Sequence, residues 1–131
     1  MICDILKTME KIFCIFMGGG LGSVLRYLTT QMGYKYFRHY FIGTLAVNII
    51  GCFLMGLFMG IFLNKTNIIP NNLKLFITVG FLGGLSTLSA LSFEVFEFIK
   101  NGKLLHGLSY MCITCIACLF VAFLGYFIST K

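Results

Sequence analysis

Residues 80–94, GFLGGLSTLSALSFE, constrain this chain more than any other stretch. They place Gly80, Gly83 and Gly84, four hydroxyl side chains within seven residues and a carboxylate inside a long apolar segment. A helix immersed in hydrocarbon satisfies its own backbone. Such a cluster therefore predicts an interruption, tolerated only where freed carbonyls and amides meet protein, water or an ion. In a water-soluble chain the same composition reads as a loop. The flanks, Leu73 to Val79 and Phe93 to Ile99, are too apolar for that. The expected element is a transmembrane helix over about 73–98, broken at mid-membrane, with the unwound middle as its working part.

Apolar residues are 59% of the 131 and charged residues only 11%, against about one half and one quarter in soluble domains. A soluble fold of this length cannot hide so much apolar surface, so lipid is the expected solvent. The reading is an all-α, multi-pass protein of the cell membrane, with residues 1–131 forming one four-helix domain. Asp4, Lys7, Glu10 and Lys11 interrupt the first apolar run and no small-x-small site follows, so no cleaved signal peptide is expected. The net charge of +6 is carried by basic residues scattered singly between apolar segments. They form no stripe, which argues against a nucleic-acid partner. Of the six cysteines, Cys112, Cys115 and Cys118 recur every third residue in an apolar run, and Cys3, Cys14 and Cys52 are isolated. They read as small buried hydrophobes rather than metal ligands.

The spans follow from the apolar runs. The first covers about 12–30 and contains GGGLGSVLRY, with Gly18 and Gly22 four apart on one face. That spacing lets helix backbones approach closely. Arg26 either reaches headgroups from the helix end or is a charge held at a vestibule or against a partner carboxylate. A polar connection over Gln31 to Tyr40 leads to the second span, 41–63, whose 23 residues cover about 35 Å. Gly56 and Gly60 repeat the close-packing spacing, and Thr44 and Asn48 share a face. Asn48 is the only amide inside any span. It either bonds across a helix interface or solvates something passing through. A turn-forming loop, NKTNIIPNN at Asn64 to Asn72, precedes the broken span. The fourth span covers 107–128, where Tyr110, Thr114 and Cys118 make one weakly polar stripe.

With a cytoplasmic amino end, Lys7, Lys11, Lys65, Lys74 and Lys131 lie inside, and Lys35, Arg38, Lys100, Lys103 and Arg26 lie outside or near it. The tally is even, so the positive-inside signal vanishes. A chain without a preferred orientation can insert both ways and pair with an inverted copy.

Catalysis has little to work with. Ser86, Ser89 and Ser92 lie in a span, but His39 and His106 fall in connections, and no metal or phosphate motif occurs. An enzyme is rejected. Transport is better supplied, because Asn48, Thr44, Thr87, Ser89, Tyr110 and Thr114 are neutral donors, while Glu94 and Glu97 lie toward a helix end. Donors without a fixed counter-charge can replace the hydration shell of a small anion and still release it. A broken helix adds carbonyls able to hold a small structural cation.

Three blocks, GGGLGSVLRY, GTLAVNIIGCF and GFLGGLSTLSALSFE, resemble in order and spacing the signature blocks of the Fluc/CrcB fluoride channels. The resemblance implies a dual-topology, antiparallel dimer of four-helix subunits that exports fluoride passively. It also implies a structural, untransported sodium ion at the dimer centre, held by backbone carbonyls that map to Gly83 and Ser86. By the same resemblance Asn48 is the pore asparagine, Arg26 the first-block arginine, and Tyr110, Thr114 and Cys118 the polar track on the fourth helix. Thr44 and Ser89 join this pathway, and Glu94 is a vestibule or structural charge. One departure matters: Leu88 and Leu91 stand where the family pattern has phenylalanines. A phenyl edge is the positive part of an aromatic quadrupole, and a leucine methyl offers an anion almost nothing. Two alternatives follow. The chain is a specialised or non-conducting half of a heterodimer with a homologous subunit, or it is a small multidrug cation exporter. The exporter needs a membrane-embedded carboxylate in the first span, where this chain has Arg26.

Overall fold

The computed structural model describes residues 1–64 and 69–131, and every described element is helical. α1 (Ile2–Phe37), α2 (Tyr40–Asn64) and α6 (Leu104–Thr130) are long and unbroken. Between α2 and α6 run a short α3 (Asn71–Leu75), a π-helical segment (Phe76–Leu82), α4 (Gly83–Leu85) and α5 (Leu88–Lys100). Taking 71–100 as one run, four helical segments are long and apolar enough to cross a membrane. Their outer faces are greasy: Phe120, Phe123 and Ile116 are each about two-thirds exposed. A soluble protein rarely shows so broad an apolar surface.

The helices overrun their expected ends. α1 begins at Ile2 rather than near 12, and continues through the expected connection to Phe37. That connection shrinks to Arg38 and His39, with Arg38 closing α1 in the left-handed region at φ 62°. The turn between α5 and α6 is likewise only residues 101–103. Polar residues at the membrane surface do not oblige a helix to stop, so apolar runs underestimate helix length. Lys65 and the middle of the expected 64–72 loop lie outside the described residues.

Two glycine seams bring backbones almost into contact. On α1, a methyl added at Gly22 would sit 2.1 Å from the Phe81 carbonyl oxygen, and one at Gly84 would sit 2.6 Å from that of Gly19. Between α2 and α6, a methyl on Gly56 would lie 1.9 Å from the Ala122 carbonyl oxygen, and one on Gly125 2.2 Å from that of Phe53. With no hydrophobic force to draw helices together in lipid, such close packing is what holds them. A small apolar core of Val47, Leu82 and Leu85 fills the space between the seams.

Candidate functional site

The third helical run is interrupted at Ser86 and Thr87. Both leave the helical region, Ser86 at φ −81°, ψ 145° and Thr87 at φ −153°, ψ 128°. In an unbroken helix the Thr87 N–H would bond the Gly83 carbonyl. Here it goes to Asn48 Oδ1 at 2.8 Å, and Asn48 Nδ2 donates back to the Thr87 carbonyl at 3.3 Å. Asn48 is buried on α2, so one side chain supplies the acceptor that the break took from Thr87. Thr87 then restarts the chain as the N-cap of α5: its hydroxyl accepts the Ala90 N–H at 3.5 Å and lies 2.8 Å from the Ser89 hydroxyl. A threonine at this position satisfies an end-of-helix donor.

Glu94 is buried, with only 9% of its surface exposed. Thr44 Oγ1 donates to its Oε1 at 2.5 Å and the Tyr110 hydroxyl to its Oε2 at 2.7 Å. The same phenol lies 3.2 Å from the Phe41 carbonyl. This carboxylate therefore ties α2, α5 and α6 together, and two donors offset much of the cost of burying it. Thr114, 1% exposed, donates to the Tyr110 carbonyl one turn back at 2.7 Å.

Apart from Tyr110, the predicted pathway residues divide between two open clefts. One is lined by Asn48, Ser86, Thr87, Leu88, Leu91, Thr114 and Cys118, together with Cys52 and Cys115. The other gathers Arg26, Thr30, Thr44, Ser89, Glu94 and Glu97. Tyr110 and Thr114 also line an apolar groove toward His106. Leu91 is buried, whereas Leu88 is 62% exposed at the rim. Gly83 faces outward from the chain. Arg26 Nε is buried without a hydrogen-bond partner among the described residues.

Two features of the site escape a reading of sequence pattern: the bonding of Thr87 to Asn48, and the place of Cys52. Thr87 is the group that Asn48 holds; its one local signal is a hydroxyl residue opening a helix. Cys52 reads as isolated, yet it sits one turn from Asn48 on the same helix face and enters the same cleft.

A helical membrane protein with an interrupted third span, pinned by a buried asparagine, is the class that this fold defines. The family model described as "CrcB-like protein, Camphor Resistance (CrcB)" matches residues 13–126. Three curated relatives, each named fluoride-specific ion channel FluC, are similar to the chain. The one from Flavobacterium psychrophilum is 43% identical over 107 residues, 81% of this chain and 86% of the relative. That from Aquifex aeolicus is 38% identical over 119 residues, 90% and 95% of the two chains. The Geobacter relative is 46% identical over 98 residues, 74% and 78%. The chain belongs to the CrcB family, and it is a multi-pass protein of the cell membrane.

Proposed function

We propose that this chain forms part of a fluoride-selective channel through which the ion leaves the cytoplasm passively. The observation that carries the reading is the Asn48 cleft, on a chain whose relatives are named for fluoride conduction. Asn48 spends one N–H on Thr87 and keeps a second, since an amide nitrogen has two. That proton and the Cys118 thiol are neutral donors, suited to an anion that must bind and then leave. Arg26 in the neighbouring cleft supplies the positive field that draws an anion to a narrow mouth.

The break also fits the implied sodium. Diverting the Thr87 N–H to Asn48 releases the Gly83 carbonyl from helical bonding, and Ser86 is extended beside it. Carbonyl oxygen is the donor type that small hard cations take. Gly83 and Ser86 would hold the ion, and its charge would join broken helices from two chains. The even charge tally and the outward Gly83 support an antiparallel pair about such a centre, with the break at mid-membrane.

A second reading has its own support. Leu88 and Leu91 line the cleft without a polar group, and the Thr114 and Ser86 hydroxyls spend their protons on the Tyr110 and Leu82 carbonyls. One chain thus has few donors to spare, which favours a specialised subunit completed by a different homologue. Fluoride-electrode efflux from liposomes holding the purified chain tests both. Fluoride release with chloride retained supports the homodimeric channel. Release only after coexpression with a homologue supports the heterodimer. No release in either case overturns the channel reading.

A further inference from the structure

Cys52 on α2 and Cys118 on α6 are neighbours across the Asn48 cleft, thiol beside thiol. Their approach is fixed by the backbone. Gly56 and Ala122, one helical turn beyond each cysteine, form a close backbone-to-backbone approach in the α2–α6 seam, where no side chain separates the helices. The two cysteines therefore sit at one level in the same cleft, and both are only partly covered. No group of three His, Cys, Asp or Glu able to hold a metal ion occurs among the described residues. A pair of thiols with no third ligand suits a soft ion that accepts linear, two-coordinate bonding.

We propose that Cys52 and Cys118 form a two-thiolate site for a soft divalent cation of the mercuric type, and that its occupancy plugs the Asn48 cleft. Each thiol loses its proton to solvent in the cleft as its sulfur bonds the metal, so two thiols and one Hg2+ give a neutral bis-thiolate and two protons. No electrons are exchanged. Neutrality decides the choice of charge: a monovalent ion on the same two sulfurs leaves a net negative group beside apolar Leu88 and Leu91, which is costly to bury. The bound ion lies one turn from Asn48 and among the side chains of the cleft, so it occupies the space an anion would use.

The test uses full-length protein in which Cys3, Cys14, Cys112 and Cys115 are replaced by serine, titrated with Hg2+ and followed by sulfur-to-metal absorbance. The pair-only protein should bind one Hg2+ per chain, roughly 100-fold more tightly than either C52S or C118S in that background, because the second sulfur acts at high effective concentration. Equal affinity in a single-cysteine variant, or two Hg2+ per chain in the pair-only protein, overturns the site. Far-ultraviolet circular dichroism and monodisperse elution establish that each variant is folded before titration. The plugging step rests on the fluoride reading and is measured separately: Hg2+ should stop fluoride efflux through pair-only protein, and stripping the metal with excess dithiol should restore it. Efflux undiminished at saturating Hg2+ overturns the plug. Absent efflux before Hg2+ is added, with and without a coexpressed homologue, sinks the fluoride reading and leaves the binding result intact.

Discussion

Asn48 and Thr87 are joined at two points, the amide oxygen to the N–H at 2.8 Å and the amide nitrogen to the carbonyl at 3.3 Å. The asparagine acts as a detached piece of backbone, giving the Thr87 N–H the acceptor that a continuing helix would have given and adding a donor to its carbonyl. Structural support and contact with a passing ion are thus not rival roles for this residue. One N–H holds the break while the other remains for the cleft.

Two substitutions separate those roles. Asn48→Ala leaves the Thr87 N–H without its partner and should cost about 2 kcal/mol of stability, read as a lowered thermal midpoint in detergent. Asn48→Asp keeps the acceptor for the Thr87 N–H, so it should fold with a smaller loss. Its fixed negative charge should nevertheless reduce fluoride efflux at least tenfold, an expected loss of roughly 1.4 kcal/mol at the barrier. Normal efflux in folded Asn48→Asp removes Asn48 from the pathway.

Glu94 predicts a graded series. Glu94→Ala strands the Thr44 hydroxyl, leaves Tyr110 only the Phe41 carbonyl, and empties a buried space, at an expected cost of about 3 kcal/mol. Glu94→Gln keeps one acceptor oxygen and should lose about half as much by the same measure. Tyr110→Phe removes a single donor, leaves the Thr44 bond intact, and should fall between the Gln variant and wild type in thermal unfolding. Equal midpoints for all three variants would show that this cluster does not hold the helices together.

The glycine seam predicts a contrast between two conservative changes. Gly56→Ala forces a methyl to within 1.9 Å of a carbonyl oxygen, and prising α2 from α6 should cost at least about 2 kcal/mol. Gly20→Ala meets nothing within 4 Å. Its helix interior position should instead gain up to about 1 kcal/mol. Yield of monodisperse protein and the thermal midpoint decide between these outcomes.

Restoring phenylalanine at the two leucines should not be symmetrical. Leu88 is 62% exposed and Leu91 only 2%. Leu88→Phe should therefore change stability by less than about 0.5 kcal/mol, while Leu91→Phe overfills its site and costs about 1–3 kcal/mol. If aromatic edges matter to conduction, Leu88→Phe alone should raise fluoride efflux from liposomes without altering the melting midpoint.

The four spans were legible because each is a long apolar run, and the break because Gly, Ser and Thr cluster in the third. Where the break falls was not. It depends on Asn48, 39 residues earlier in the chain, and local composition carries no trace of that partnership. The ends of α1 were hidden for a simpler reason: Gln31, Lys35 and Tyr36 are polar or interfacial, yet all remain helical. Glu94 had the look of a charge near a helix end, and only the packing of α2 and α6 turns it inward to Thr44 and Tyr110. The Cys52 and Cys118 pair was similarly invisible, since 66 positions separate residues that the α2–α6 seam makes neighbours.

α1 has one consequence that reaches outside the bundle. Its 36 residues form a rod about 54 Å long, while the hydrocarbon layer is about 30 Å thick. Several turns must stand clear in headgroups or water, and the exposed Cys3 rides near the tip. In a variant keeping only that cysteine, a membrane-impermeant maleimide reports which compartment the tip occupies. Labelling from one side alone identifies a single insertion, whereas half from each side is the signature of chains threaded in opposite senses.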